Sequence, residues 1–310
     1  MITVKSFDVG EGDMFYINHG ADCFTVIDCC VEGVKCTITE PERKAILHEI
    51  RTLASEKGVS RFISTHPDED HIGGIAKVMA EIDTSNFYCV RNFATKKDES
   101  ESFKAYCEYR DSDKAYYVYA GCRRKWLNLN DEGADGDHGC SGINFAWPQT
   151  DNVDFKEALV NAAKGVGFNN ISPVFTYSIK NSATFMWMGD MENDFMKKID
   201  GVKDGVKWPA ADILFAPHHG RDTGKVPKNI LEKISPKLIV IGEAPSDELN
   251  YYKGYSTITQ LSAKNITFEC SDRQVDCYCS NFNYEVEGGV FCDKGCKDAD
   301  MRHYLGSFAV

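Results

Sequence analysis

The chain opens on alternating apolar and polar positions. Residues 3–9 and 13–17 read as short strands around the turn Gly10-Glu11-Gly12, and a third strand, 23–27, ends at Asp28. Period-two alternation punctuated by Gly and Asp is the pattern of half-buried strands joined by tight turns. The period then changes. Ile46, Leu47, Ile50 and Leu53 recur at helical spacing, Pro41 suits a first turn and Gly58 an exit, so 41–57 predicts a helix. A strand at 61–64 runs into a polar loop at 65–71, and a second helix is expected over 72–82. Further strands are expected at 174–179, 184–188, 212–215 and 237–241, with a helix beginning near Glu192. Polar residues recur at the strand exits, where α/β proteins assemble their sites.

Two stretches break this rhythm. Residues 84–142 are rich in Tyr, Lys, Asp and Glu, and predict strands and a helix in a variable insertion. This stretch closes in the acidic loop 131–139, where the Asp131 to Asp137 run lacks the spacing of a calcium-binding hand and reads as a solvated turn. Residues 266–310 form a short Cys-rich extension expected to pack on the main body, 1–265. Neither a repeat nor a low-complexity linker divides that body.

Composition narrows the class. The 310 residues include 35 Lys+Arg and 47 Asp+Glu, and 35 − 47 gives a net charge of −12. With 43% hydrophobic and 26% charged residues the chain is globular in type and long enough to bury a core without a disulfide framework. The acidic balance argues against coating nucleic acid by bulk charge, but leaves room for a local basic groove. The N-terminus lacks a signal-peptide pattern, and no run approaches the roughly 20 apolar residues of a membrane span. These features lead to the expectation of a cytoplasmic chain whose 13 cysteines are reduced. The odd count leaves at least one thiol unpaired in any case.

The chemistry concentrates in Thr65-His66-Pro67-Asp68-Glu69-Asp70-His71-Ile72-Gly73-Gly74. His66, Asp68, Asp70 and His71 offer imidazole nitrogen and carboxylate oxygen within six residues, a donor set suited to zinc, manganese or iron. The plainer reading is a solvated helix cap. Two later strand exits weigh against it: Asp190 after FMWMG, and His218-His219-Gly220 after ILFAP. A carboxylate at the first could bridge two ions.

This order resembles the metallo-β-lactamase superfamily, whose signature HxHxDH is followed by a His, a bridging Asp and a last His. Within it, the chain resembles the hydrolase domain of ComEC-type DNA-uptake proteins. Asp8-Val9-Gly10-Glu11-Gly12-Asp13 is similar to that group's opening DVGQGD. Val26-Ile27-Asp28 is similar to the superfamily's supporting Asp, and 66–74 has the form HPDxDHIGG, with Asp68 replacing the second His. Asn169-Asn170-Ile171-Ser172, Gly189-Asp190 and His218-His219-Gly220 follow the group's NNxS, GD and HHGS order.

The resemblance covers roughly residues 1–265 and implies an αββα four-layer sandwich with two divalent ions, Zn²⁺ or Mn²⁺. His66 and Asp68 would serve one ion, Asp70 and His71 the other, with Asp190 between them. One of His218 and His219 would complete the second site. His218 follows the strand directly and is the first choice, leaving the other to support it or touch phosphate. Asp28 would orient the His66 loop, and Asn170 and Ser172 stand where typical members carry a metal-binding His.

Two departures bear on chemistry. Arg221 stands where the group has Ser after HHG, and Tyr255 replaces the His of a later N-x-YGHP segment. Tyr255, Lys253 or Arg221 would then have to protonate a leaving group. The implied activity is hydrolysis of a phosphodiester in DNA, RNA or a nucleotide, with Asp70 accepting a proton from water. A small-molecule hydrolase or a binding module that has lost turnover are the alternatives, and a protein partner remains open. Arg123, Arg124, Lys125, Arg221 and Lys225 are candidate phosphate contacts, each set against a plain surface charge.

At the C-terminus, Cys277, Cys279, Cys292, Cys296 and His303 allow a structural zinc site, but C-x-C is tighter than a usual knuckle. Buried thiols are the expectation there, and His19, His48 and His138 are expected to be structural or exposed.

Overall fold

The computed structural model describes residues 1–130, 140–244, 251–286, 289–292 and 302–310 in full, and only the backbone of 132–133, 136–137 and 249–250. It is a mixed α/β structure with two large sheets. One contains nine strands: β1 (Ile2–Ser6), β2 (Phe15–Asn18), β3 (Phe24–Ile27), β5 (Arg61–Ile63), β6 (Phe87–Cys89), β7 (Ala115–Tyr117), β16 (Ile266–Ser271), β17 (Gln274–Cys279) and β18 (His303–Ala309). The other has six: β10 (Ile143–Trp147), β11 (Val174–Ser178), β12 (Thr184–Trp187), β13 (Ile213–Phe215), β14 (Leu238–Ile241) and β15 (Ser256–Thr259). A two-residue strand, β4 (Cys29–Cys30), bridges to Ile72 and Gly73, and β8 (Glu132–Gly133) pairs with β9 (Gly136–Asp137).

The nine-stranded sheet runs β18-β17-β16-β1-β2-β3-β5-β6-β7. Both stretches that stood apart in the sequence therefore contribute strands to it. β6 and β7 from 84–142 continue it in parallel beyond β5. β16 pairs with β1, Ile2 opposite Cys270, so the Cys-rich end lengthens the sheet edge. Cys270, Cys277 and Cys279 are buried strand residues, and no disulfide joins two described cysteines. The acidic run 131–139, with His138, and Cys296 lie outside the residues described in full.

Aromatic side chains join the two sheets. Phe15 of β2 lies 4.8 Å, ring centre to centre, from Phe215 of β13 and 6.1 Å from Trp187 of β12. Phe268 of β16 meets Phe185 of β12 at 5.6 Å. Packed rings of this size carry much of a core's stability through buried area and edge-to-face contact.

The helix expected at 41–57 is α1 (Glu40–Ala54) followed by one 3-10 turn. A Thr39–Glu42 capping box starts it, satisfying amides that the helix itself cannot pair. The helix expected over 72–82 begins earlier and is broken. Residues 69–72 already form the turn α2 (Glu69–Ile72), and α3 (Ile75–Glu81) follows after Gly74, whose φ of 82° interrupts the spiral. Asp70 and His71 thus sit on a helical turn. No helix among the described residues is long and apolar enough to cross a membrane.

Candidate metal centre

The site gathers where parallel strands end. Asp28 follows β3, Thr65 and His66 follow β5, Asp190 follows β12, and His218 and His219 follow β13. The β1–β2 loop adds Asp13, whose backbone N–H donates to the carbonyl of Asp70 at 3.0 Å. Gly12 makes this approach feasible: a Cβ there would stand 2.4 Å from the same carbonyl. Gly189 has a similar role before Asp190, since a Cβ would lie 2.6 Å from Ser172 Oγ.

Four imidazoles share one arrangement. Each has its Nδ1 near an oxygen and its Nε2 near the Asp190 carboxylate. His71 Nδ1 lies 2.9 Å from Asp28 Oδ2, and its Nε2 2.9 Å from Asp190 Oδ1. His219 Nδ1 lies 3.1 Å from Asp13 Oδ1, and its Nε2 3.5 Å from Asp190 Oδ2 and 3.8 Å from Asp70 Oδ2. His66 Nδ1 is held by Thr65 Oγ1 at 3.1 Å and Ser172 Oγ at 3.3 Å, with Nε2 3.8 Å from Asp190 Oδ2 and 3.6 Å from Asp68 Oδ2. His218 Nδ1 meets Thr223 Oγ1 at 2.7 Å, and its Nε2 is 3.7 Å from Asp190 Oδ2.

Burial makes this arrangement costly unless something completes it. His66, His71 and His219 are at most 1% exposed, and their Nε2 atoms, with Asp190 Oδ1, have no aligned hydrogen-bond partner. Buried polar atoms are nearly always paired, so four orphans at one point are chemically informative. Asp13, His71, Asp190 and His219 each offer a ligand atom within 4.8 Å of one another, a group able to hold a metal ion.

The charges ask for the same completion. Burial alone would neutralise His71 and His219, but the Asp190 carboxylate beside them raises both above the ordinary imidazole range. Burial also opposes ionisation of Asp190, which these two imidazoles nevertheless hold well below the usual carboxylate range. His66 is pushed down to about 3 by burial, then by the charge of His71. Asp68 is pushed up to about 6 by burial, with Lys96 opposing. A buried carboxylate cluster attracts positive charge, which protons or divalent ions can supply.

The supporting groups divide by what they touch. Asp28 is buried, with φ 52°, and accepts from the backbone N–H and hydroxyl of Thr65 at 2.7 Å each. Asp28→Ala would strand these donors and the Nδ1 of His71, and should cost about 3–5 kcal/mol in a denaturant titration. Asn170 holds the turn after Asp190 through Glu192, and Ser172 accepts the backbone N–H of Asp190 at 3.3 Å. Arg221 pairs with Glu11 at 3.2 Å.

His219 meets Asp70 and Asp13, while His218, the first choice from sequence, is partly exposed, with its Nδ1 toward Thr223 and its Nε2 3.7 Å from Asp190 Oδ2. Both residues have left-handed φ, 52° and 56°. Lys253 is exposed, Tyr255 packs against the core, and neither makes a hydrogen bond or ion pair with the cluster. Lys225 lies over the Tyr251 ring. Arg124 is at the far end of the sheets, beside Asn86 ahead of β6.

Two residues entered the site unannounced. Asp13 belonged to the quoted opening motif but had no assigned role. Lys96 comes from the weakly patterned stretch, where no signal marked it, and lies 3.8 Å from Asp68 and 2.9 Å from Glu69.

No family model matches the chain, and no curated protein matches it in sequence. Among solved structures it is similar to Igni18, described as a novel metallo hydrolase from the hyperthermophilic archaeon Ignicoccus hospitalis. That match has 15% identity and a TM-score of 0.47, covering 86% of this chain and 99% of the other. CmlA, a diiron β-hydroxylase from Streptomyces venezuelae, matches at 8% identity and a TM-score of 0.38, covering 81% of this chain and 46% of CmlA. At such identities and scores, a functional reading has to stand on the side chains themselves.

Proposed function

We propose that this chain is a metal-dependent hydrolase of the metallo-β-lactamase type, with an αββα four-layer sandwich and two divalent ions, Zn²⁺ or Mn²⁺. The observation that carries the reading is the ring of four imidazole Nε2 atoms, each 2.9–3.8 Å from the Asp190 carboxylate. Three of them are buried without an aligned hydrogen-bond partner. His66, Asp68 and Asp190 would hold one ion, with His218 at its rim. Asp70, His71, Asp190 and His219 would hold the other. Such ions supply an activated water and positive charge for displacement at phosphorus.

The remaining residues orient and tune. Asp13, Asp28, Ser172 and Thr223 each hold the Nδ1 side of an imidazole, fixing the ring so that Nε2 faces inward. Asp70 would accept a proton from water. Lys96 and Arg221 flank the cluster and would favour an anionic substrate despite the chain's overall negative charge. A phosphodiester, in the manner of ComEC-type hydrolases, is the substrate class we assign.

The test is metal analysis of the purified chain, with assays on single- and double-stranded DNA, RNA and bis(p-nitrophenyl) phosphate in added Mn²⁺ or Zn²⁺. About two bound ions are expected, and chelation should abolish turnover until metal is restored. Undiminished activity of metal-free protein would refute the reading. Activity on the small ester alone would redirect it to small-molecule hydrolysis.

A further inference from the structure

A cavity lies at the opposite end of the strands from the imidazole cluster. It measures about 590 Å³ and is bordered by Cys23, Arg61, Asn86, Trp126, Ser141 and Lys180. These residues sit near the starts of β3, β5, β6, β10 and β12, whereas the imidazole cluster sits at strand ends. Its described lining contains two cations, Arg61 and Lys180, and no carboxylate, in a chain with net charge −12. The neighbouring Asp22 is paired with Lys57.

Arg61 is the decisive residue. It is 3% exposed, yet among the described residues its guanidinium touches neutral acceptors: Thr25 Oγ1 at 3.3 Å, Cys23 Sγ at 2.6 Å, the carbonyl of Trp126 and the hydroxyl of Tyr88. These contacts occupy donors, but no described carboxylate pairs with the charge, and a buried charge without a counter-ion is strongly disfavoured. A second guanidinium adds to the field. Arg124 stacks on Tyr88 and Tyr116, donates to Asn86 Oδ1 at 2.7 Å, and keeps a buried Nη1 with no partner. No described carboxylate contacts it either. His19, also in the lining, is kept neutral by burial, reinforced by the charge of Arg61.

The rim carries Trp126, 58% exposed and held at φ 60° by a turn whose carbonyl receives Arg61. An exposed indole beside a buried cation suits a ligand with an anionic end and a flat ring. We infer that this cavity is a binding site for a small phosphate ester carrying a planar ring, the class to which mononucleotides belong. The phosphate lies against Arg61 and Lys180, and the ring lies on Trp126. The site is separate from the imidazole cluster and does not depend on its metal chemistry.

The test is titration of the full chain with AMP and with inorganic phosphate, followed by calorimetry and tryptophan fluorescence. It is done in chelator and repeated in Asp190→Asn, so that the imidazole cluster contributes nothing. Trp147, Trp187 and Trp208 are buried, so a ligand-dependent emission change reports on Trp126. Saturable AMP binding is expected in both backgrounds. Arg61→Gln should weaken AMP and phosphate by about tenfold or more, while Trp126→Leu should weaken AMP and spare phosphate. If Arg61→Gln does not fold, Lys180→Glu at the exposed rim replaces it and should weaken both ligands. The inference is overturned by absence of saturable binding at millimolar AMP, or by affinity unchanged in the folded Arg61 or Lys180 variant.

Discussion

Asp190→Asn is expected to lower hydrolysis by about 10²–10³-fold while leaving the fold intact, the scale on which loss of a central electrostatic element acts. Asp190 is the one side chain that all four imidazoles approach, and its carboxylate is 2% exposed. The amide is nearly isosteric, so the turn held by Ser172 and Asn170 survives. The negative charge is lost, however, and one coordinating oxygen becomes an amide nitrogen with no lone pair free to ligate a cation. Metal content should fall in parallel, measured on the same preparation. Wild-type turnover in a folded, metal-depleted Asp190→Asn protein would show that the ring of imidazoles serves structure alone.

The second large effect separates two adjacent histidines. His219→Ala should weaken binding of one ion by about 100-fold, and His218→Ala by about tenfold or less, the range seen when supporting groups around a metal are removed. His219 is buried and reaches both Asp70 and Asp190, with Asp13 behind it. Among the described carboxylates His218 is paired with Asp190, while its Nδ1 is turned to Thr223, and its side chain is 18% exposed. Chelator-competition titration of the two variants reads the difference directly. Equal losses, or a larger loss in His218→Ala, would reverse the assignment.

That contrast shows where sequence reasoning stops. His218 is the first choice from sequence because it follows the strand directly. Left-handed φ values at both positions set how the two rings approach Asp190, and such a backbone departure leaves no mark in residue spacing. Asp13 escaped assignment for a related reason. Its partner His219 is 206 positions away, and only the meeting of the β1–β2 loop with the exit of β13 brings them together. Lys96 joined from a stretch with weak periodicity, placed by the path of the chain after β6.

What lay along the chain was legible: α1 from its helical spacing and cap residues, the hairpin from alternation and glycines, and the clustering of His66, Asp68, Asp70 and His71 from their nearness in sequence. These rest on interactions within a few residues, so local pattern suffices to determine them. Tertiary structure decided that β6 and β7 from 84–142, and β16 to β18 from 266–310, join the main sheet, because strand pairing is set by partners elsewhere in the chain, as where Ile2 meets Cys270. It also decided which imidazole nitrogens face Asp190 and what holds each ring, since these depend on side-chain orientation across converging strand ends. The buried Arg61, unremarkable at the start of a short strand, acquired its meaning only when the fold placed it beside a cavity with no carboxylate in its described lining.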